Sequence, residues 1–293
     1  MEVLVTGGSG FIGRNIVKVL ESKGHSVTVF DIKEDADIRG DVRDKDAVLK
    51  ACRGKDYVFH LAAVTSPPEF ENLMGDGFSV NALGTYNLLA ASAVMGVKRV
   101  VLASSSAVYG SQAKPSREDE IPESYSNFYP ASKRFNEMTA SVFRSYNLET
   151  ISLRYFNTYG PGENEKGLYS SVIWKFISDI RGGRKPVIYG DGTQRRDFIY
   201  VEDVAFASVL ALERGKPWEI YNVGTGVSTD FNTIFKIVKE EMNYEGQAVY
   251  VPNPLKSYQK FTQADMTKAR RDLGFEPRYD IRKGVRRILE TLS

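Results

Sequence analysis

The stretch TGGSGFIG, Thr6 to Gly13, follows the strand-like run Val3-Leu4-Val5 and opens a segment whose apolar residues Ile12, Ile16, Val19 and Leu20 recur at helical spacing. It reads in two registers. From Gly8 it spells G-x-G-x-x-G, and from Gly7 it spells G-x-x-G-x-x-G, with Gly10 and Gly13 common to both. In either register a strand, closely spaced glycines and an amphipathic helix make an anion site, because the missing side chains let backbone N–H groups and the helix N-terminus approach a pyrophosphate. A tight strand-to-helix turn would use the same glycines. Asp31 adds a second constraint, since it closes the run Val27-Thr28-Val29-Phe30-Asp31 about twenty residues beyond the loop, where a carboxylate accepts hydrogen bonds from an adenosine ribose. The same charge repels a 2′-phosphate, so NAD is expected rather than NADP. Lys33 works against that preference.

Outward from the loop, apolar runs ending in Gly, Asp or Ser alternate with segments of helical period. Strands are predicted at 3–6, 26–31, 57–61, 100–104 and 150–153, with a short strand before Asp41, and helices near 10–20, 79–94 and 131–145. Such alternation predicts an α/β fold, a doubly wound parallel sheet of the Rossmann type covered on both faces. After Asn157 the texture changes to the loop Gly160-Pro161-Gly162-Glu163-Asn164, then to shorter helices and the turn-rich Val251-Pro252-Asn253-Pro254. This divides the chain into a dinucleotide-binding domain at 1–157, with a return segment at about 196–222, and a smaller substrate-binding region at 158–195 and 223–293.

Composition narrows the function by exclusion. Lys plus Arg number 39 against 37 Asp plus Glu, so no net field draws the chain to nucleic acid or to an anionic membrane. The chain begins directly with a strand-like run and holds no apolar stretch of membrane-spanning length, so a cytoplasmic location is expected. Cys52 is the single cysteine and His25 and His60 are the only histidines, which excludes an internal disulfide and leaves no cluster for a zinc site.

Several residues are placed for chemistry. Tyr129-Pro130-Ala131-Ser132-Lys133 sets a phenol and an ammonium four residues apart on one helix face, where the ammonium and a cationic nicotinamide both favour the phenolate that a general base requires. An exposed tyrosine beside a solvated lysine has the same spacing. The run Val101-Leu102-Ala103-Ser104-Ser105-Ser106-Ala107-Val108-Tyr109-Gly110 ends an apolar strand in three hydroxyls, at the strand end where open α/β sheets bind ligands. No histidine or acid is placed to activate them, which argues against a hydrolase. Asp41 and Val42 either meet an adenine ring or cap the helix over 46–51. Leu61-Ala62-Ala63 offers small side chains where a cofactor crosses the sheet edge or, equally, forms a tight turn.

Together, Thr6-Gly7-x-x-Gly10-x-x-Gly13, Ser104-Ser105-Ser106-Ala107-Val108-Tyr109-Gly110 and Tyr129-x-x-Ser132-Lys133 resemble the extended short-chain dehydrogenase/reductase family, in particular its NAD-dependent nucleotide-sugar epimerases of the UDP-galactose 4-epimerase type. The likeness runs nearly the whole chain. It takes in Arg154-Tyr155-Phe156-Asn157, Gly190-Asp191-Gly192, Arg196-Asp197-Phe198, Tyr221-Asn222-Val223-Gly224 and Leu273-Gly274-Phe275, and it selects the register from Gly7. The resemblance implies that Tyr129 is the catalytic base, that Lys133 binds the nicotinamide ribose and lowers the tyrosine pKa, and that Ser105 or its neighbour Ser106 is the supporting hydroxyl. It implies a cofactor site of Gly7, Gly10, Phe11, Ile12, Gly13, Asp31, Asp41, Val42, Leu61, Ala62 and Ala63 beside Tyr129 and Lys133. The substrate would meet Ser105, Ser106, Tyr129, Asn157, Arg196 and Tyr258, with Asn157 and Arg196 at the diphosphate.

The expected activity is inversion of C4 of a UDP-hexose through a transient 4-keto sugar, with a homodimer formed by the helices near 79–94 and 131–145. Two departures bear on it. Related 4,6-dehydratases carry acids after the supporting hydroxyl, and here those positions are Ser106 and Ala107, which disfavours dehydration. UDP-hexose epimerases often carry Arg-x-Gly-Asp ahead of the final Ala-Asp. Here Tyr258-Gln259-Lys260-Phe261-Thr262-Gln263-Ala264-Asp265 is more similar to ADP-heptose 6-epimerases, although Asp31 favours NAD and that group commonly accepts NADP. The alternatives are therefore an ADP-heptose epimerase, a net NAD-dependent sugar-nucleotide dehydrogenase or reductase, and, from another class, a non-catalytic dinucleotide-binding protein. The last group tends to lose the Tyr and Lys pair. Loop residues 65–72 depart from the usual epimerase pattern and are placed to border the sugar.

Overall fold

A computed structural model describes residues 1–65, 70, 73–111, 113–125, 127–254 and 259–292. Its strands are β1 (Glu2–Thr6), β2 (Ser26–Asp31), β3 (Ile38–Arg39), β4 (Tyr57–His60), β5 (Arg99–Ser105), β6 (Glu149–Tyr155), β7 (Asn157–Tyr159), β8 (Val187–Tyr189), β9 (Arg195–Tyr200), β10 (Ile220–Val223), β11 (Ser228–Asp230) and β12 (Val249–Val251). The larger sheet runs β10-β6-β5-β4-β1-β2-β3 with every neighbouring pair parallel. The chain winds outward from β1 to β3, then returns to place β4 on the other side of β1. A crevice opens at that reversal, beyond the carboxyl ends of β1 and β4.

Alternation along each strand sorts the core into two layers. Val3 and Val5 face one side, with α1 (Phe11–Ser22) and α6 (Val201–Arg214) packed over them through Ile16, Leu20, Val204 and Leu210. Leu4, between them in sequence, faces the other side, where α2 (Lys45–Cys52), α3 (Gly84–Val94) and α4 (Phe128–Val142) contribute Val48, Leu88, Leu89 and Ala140. Each such buried Val, Leu or Ile side chain contributes about 1.5–3 kcal/mol relative to exposure. A third cluster lies apart from these. It joins β7, β9 and β11 to α5 (Val172–Arg181), α7 (Phe231–Glu241) and α9 (Ile281–Glu290) through Tyr159, Ile173, Phe176, Phe198, Phe235 and Ile288.

The packing distributes the C-terminal chain differently from a split at residue 223. Ala264, Met266 and Phe275, with Ala269 and Leu273 of α8 (Thr267–Leu273), lie in the core of the larger sheet. Strand β9 pairs with β7 and β11 rather than with that sheet. Alternating apolar residues mark a buried strand or helix but carry no label for which core receives them.

Two helix boundaries matter to the site. The helix expected near 131–145 begins at Phe128, because the Asn127 side chain accepts the Tyr129 N–H at 3.2 Å and Pro130 is tolerated within a first turn. Tyr129 is thereby held in a helix rather than on a loop. The helix expected over 79–94 starts with a π-helical turn, Ser79–Leu83, before α3 proper.

Backbone geometry also separates the two glycine registers. Gly7 has φ of +71°, and a Cβ there would lie 2.5 Å from the backbone nitrogen of Ala62, while a Cβ on Gly13 would lie 2.2 Å from the Gly7 carbonyl oxygen. At Gly8 the nearest obstacle is the Val29 side chain. Backbone cannot step aside as a methyl can, so Gly7 and Gly13 are the positions that exclude a side chain. We predict that Gly7→Ala and Gly13→Ala each lower unfolding free energy by about 2 kcal/mol or more, and Gly8→Ala by less. Urea titrations of the three variants check this, and equal losses would contradict it.

Candidate active site

A cavity of about 1430 Å³ occupies the crevice and extends past it towards the third cluster. Gly7, Gly10, Phe11, Ile12 and Gly13 line its cofactor arm, with Leu61, Ala62 and Ala63 beside them. Gly10 caps α1 in an extended conformation with no side chain on the first-turn amides, and that turn holds no acid. Unsatisfied N–H groups at a helix start favour an anion. The residues present therefore suit a dinucleotide.

Asp31 also lines the cavity, and its carboxylate accepts from Ser9 N at 3.1 Å and from Lys33 N at 3.2 Å, which fixes its direction. The choice left open at Asp41 is decided by its neighbour: Asp44 caps α2, accepting from Asp46 N and Ala47 N at 3.0 Å each. Asp41 instead accepts from the Arg43 guanidinium, a contact that lowers its pKa, and it lines the cavity with the buried Val42.

Behind this arm His60 joins two elements. Thr85 Oγ1 donates to Asn81 O at 2.6 Å, so at 3.0 Å it accepts from His60 Nε2–H, and the unprotonated Nδ1 accepts from Thr6 Oγ1 at 2.7 Å. Burial, helped by the Lys133 charge, pushes the imidazole down to about 3. The ring is a neutral brace between the end of β1 and the helix above it. Asn81, in the π turn, accepts from Val64 N at 2.9 Å and donates to Val64 O and Ser132 Oγ at 3.0 and 3.1 Å. Sequence reasoning missed it, since an extra residue in one helical turn leaves no periodic trace.

Tyr129, Lys133 and Glu137 follow one another at four-residue steps on α4. Tyr129 and Lys133 line the cavity and are buried, and Lys133 Nζ donates to Ala103 O at 3.0 Å. Burial lowers the ammonium to about 8, with Glu137 opposing. The solvated-lysine alternative is thus excluded by burial. Glu137, also unread in the sequence, takes Arg154 in a bidentate pair at 2.8 Å for each bond, together with Ser104 Oγ at 2.6 Å and Arg134 at 3.0 Å. This uses the Ser104 hydroxyl structurally. Ser105 Oγ accepts from Ala107 N at 3.1 Å, and both Ser105 and Ser106 line the cavity.

Of the loop that departs from the epimerase pattern, Ser66 to Glu69, Glu71 and Asn72 lie outside the described residues. Phe70, fully buried, meets the Tyr129 ring edge-on with centroids 6.3 Å apart.

In the substrate arm, Arg196 and Asp197 point to opposite faces of β9. Arg196 lines the cavity, donates to Arg195 O at 2.8 Å and lies over the Phe231 ring at 5.9 Å. Asp197, fully buried, accepts from Thr225 N, Thr225 Oγ1, Gly226 N and Ala264 N at 2.6–3.0 Å. Asn157 lines the cavity too, but its amide protons go to Asp197 O and Thr262 Oγ1, both at 3.0 Å. Trp174 and Lys175 line the far end, with burial lowering the Lys175 pKa. Neither carries a motif that would single it out in the sequence.

The stretch that is similar to ADP-heptose epimerases has a structural use here. Gln259 Nε2 donates to Gly110 O, Lys260 O accepts from Arg195 N, Thr262 N donates to Arg195 O, and Ser116 N donates to Gln263 O. These bonds lace residues 259–265 between β9 and the loop after β5. Tyr258, expected at the substrate, lies outside the described residues. Among the described residues no His, Cys, Asp or Glu group could hold a metal, and no helix is long and apolar enough to cross a membrane.

Residues 3–224 match the NAD dependent epimerase/dehydratase family. Among solved structures, the UDP-glucose 4-epimerase of Thermotoga maritima with UDP-glucose is 33% identical, covers 100% of both chains and superposes with a TM-score of 0.93. A UDP-N-acetylglucosamine 4-epimerase from Methanobrevibacter ruminantium, in complex with UDP-N-acetylmuramic acid, is 34% identical with a TM-score of 0.91, covering 99% of this chain and 98% of its own. The Thermus thermophilus UDP-glucose 4-epimerase in complex with NAD is 33% identical with a TM-score of 0.90 over the same shares.

The neutral His60 carries a pH prediction. Its native pKa lies below the unfolded value of 6.5, so the unfolded chain binds the extra proton. The stability this neutrality contributes is complete above pH 6.5 and is lost as pH falls towards 3, by up to about 1.4 kcal/mol per pH unit. Between pH 6.5 and 4 the stability of the parent chain should fall more steeply than that of His60→Gln. Parallel slopes in urea unfolding would contradict the assignment.

Proposed function

The chain belongs to the NAD dependent epimerase/dehydratase family, and we propose that it is a UDP-hexose 4-epimerase that inverts C4 with Tyr129 as the base. It is an enzyme of the UDP-sugar 4-epimerase type with NAD as its cofactor. The finer reading rests on one observation: Tyr129, Lys133, Ser105 and Ser106 line the same cavity as the glycine loop at one end and Arg196 at the other.

When bound, NAD supplies reversible two-electron chemistry at the sugar carbon. Tyr129 takes the C4 hydroxyl proton and later returns it. Lys133, largely protonated at neutral pH despite its lowered pKa, stabilises the phenolate. Ser105 Oγ, which already accepts from Ala107 N, retains its own proton to donate to the sugar oxygen or to Tyr129. Arg196 offers a planar cation to the diphosphate, so that the nucleotide end stays fixed while the 4-keto sugar turns its other face to the reacting centre. The cavity volume leaves room for such a turn. Asn157, its amide protons committed to protein oxygens, acts by fixing β7 against β9.

Incubation of the purified chain with UDP-glucose, UDP-galactose, their N-acetyl and uronate forms and ADP-heptose, without added reductant, tests the reading. Interconversion of a UDP-sugar pair is expected, and Tyr129→Phe should lower it by about 10²-fold or more while leaving thermal stability and NAD binding intact. Conversion of ADP-heptose alone, or near-normal turnover in Tyr129→Phe, would overturn it.

The family likeness implies a homodimer, and the exposed residues support one. Leu83, Tyr86 and Val94 around α3, with Phe135, Met138 and Val142 on α4, form an apolar face in which Val94 is 74% and Val142 58% exposed. Such a face can meet its own copy across a twofold axis. A dimer is expected in sedimentation equilibrium and a monomer for Met138→Glu/Val142→Glu; a monomeric parent chain would refute the proposal.

A further inference from the structure

The 3-10 segment Glu163–Tyr169 crosses from the third cluster onto the start of α1. It is anchored there. Glu163 is buried and accepts from Ser171 N at 2.6 Å, and Lys166 Nζ sits 4.1 Å from the centre of the Phe11 ring. On this anchored piece Glu165 pairs with two cations at once, Arg14 and Lys33, the latter at 3.0 Å. Both cations also donate to a single backbone oxygen, Ser9 O, from Arg14 Nε at 2.8 Å and Lys33 Nζ at 3.2 Å. The N–H of that same Ser9 is the donor that orients Asp31.

Asp31, Arg14 and Lys33 are therefore gathered around one residue of the glycine loop. NADP differs from NAD by a phosphate on the adenosine ribose, and a cation next to the acidic residue at that ribose is what accommodates it. This chain has two such cations, and Glu165 engages both. We propose that Glu165 is a cofactor-specificity residue, holding the chain to NAD by occupying Arg14 and Lys33 and by adding a second negative charge to that of Asp31. The proposal reconciles NAD as the cofactor with a lysine beside Asp31. It rests on the assignment of Asp31 to the adenosine ribose.

The three side chains are between a third and a half exposed, so solvent screens these pairs and the effect is graded rather than absolute. Dissociation constants for NAD and NADP, measured by calorimetry on the full chain stripped of nucleotide, test the inference. Glu165→Gln should tighten NADP by about tenfold and leave NAD within about threefold. Adding Lys33→Gln to it should remove most of the gain, and Asp31→Asn should weaken NAD. An unchanged NADP to NAD ratio in Glu165→Gln, with NAD weakened in Asp31→Asn, overturns the role of Glu165 alone. Unchanged NAD affinity in Asp31→Asn overturns the ribose assignment and the proposal with it.

Discussion

A charge pair shut away from water, Glu137 with Arg154, holds the helix that carries Tyr129 and Lys133 against the ends of β5 and β6. Desolvating two ions is costly, and the pair is tolerable because its remaining valences are filled: Ser104 and Arg134 donate to Glu137, Arg154 donates to Glu118 O, and its guanidinium lies over the Tyr109 ring at 4.7 Å. Tyr109 OH in turn donates to Asn222 Oδ1 at 2.5 Å, which extends the network to β10. A connected polar network of this kind admits few alternative positions for the helix. The sideways placement of the Tyr129 phenol and the Lys133 ammonium follows from that constraint, as does part of the charge that Lys133 retains.

A second constraint acts at the start of α1. The backbones of Gly7 and Ala62 approach too closely for a Cβ to fit between them, and His60 braces the same corner through Thr6 and Thr85. The anion-binding start of α1 is thus fixed relative to β4, while the Glu137 network fixes α4 relative to β5 and β6. The cavity lies between these two anchored edges. The third cluster borders it on the far side, and the Glu163–Tyr169 segment ties that side to α1 and to Lys33 through ion pairs.

Much of this was legible in the sequence, for identifiable reasons. Parallel strands buried on both faces read as continuous apolar runs, and helices covering them read at their own period, so six strands of the larger sheet follow from pattern alone, while β10 was not read as a strand. The loop from Gly7, Asp31, and the Tyr129 and Lys133 pair stood out in the sequence as particular residues at fixed spacing, and they line one cavity. What stayed hidden depends on contacts between distant segments. Nothing local distinguishes Glu137 from a solvated helix glutamate until Arg154, on a later strand, is brought beside it. Asp41 and Asp44 are three residues apart and either could cap α2; only the path of the backbone decides for Asp44. The Gln259 to Asp265 stretch suggested a ligand specificity, and several of its polar groups also lace β9 to the loop after β5.

The central claim is that one site removes the hydrogen at C4 and returns it to the same carbon. UDP-glucose deuterated at C4, incubated with the chain and a catalytic amount of NAD, tests it directly by mass spectrometry and NMR of the product sugar. UDP-galactose that keeps its deuterium at C4, with none lost to water, is the predicted result. Product that has exchanged the label for solvent hydrogen, or label that accumulates in reduced cofactor as a ketone builds up, would contradict the account.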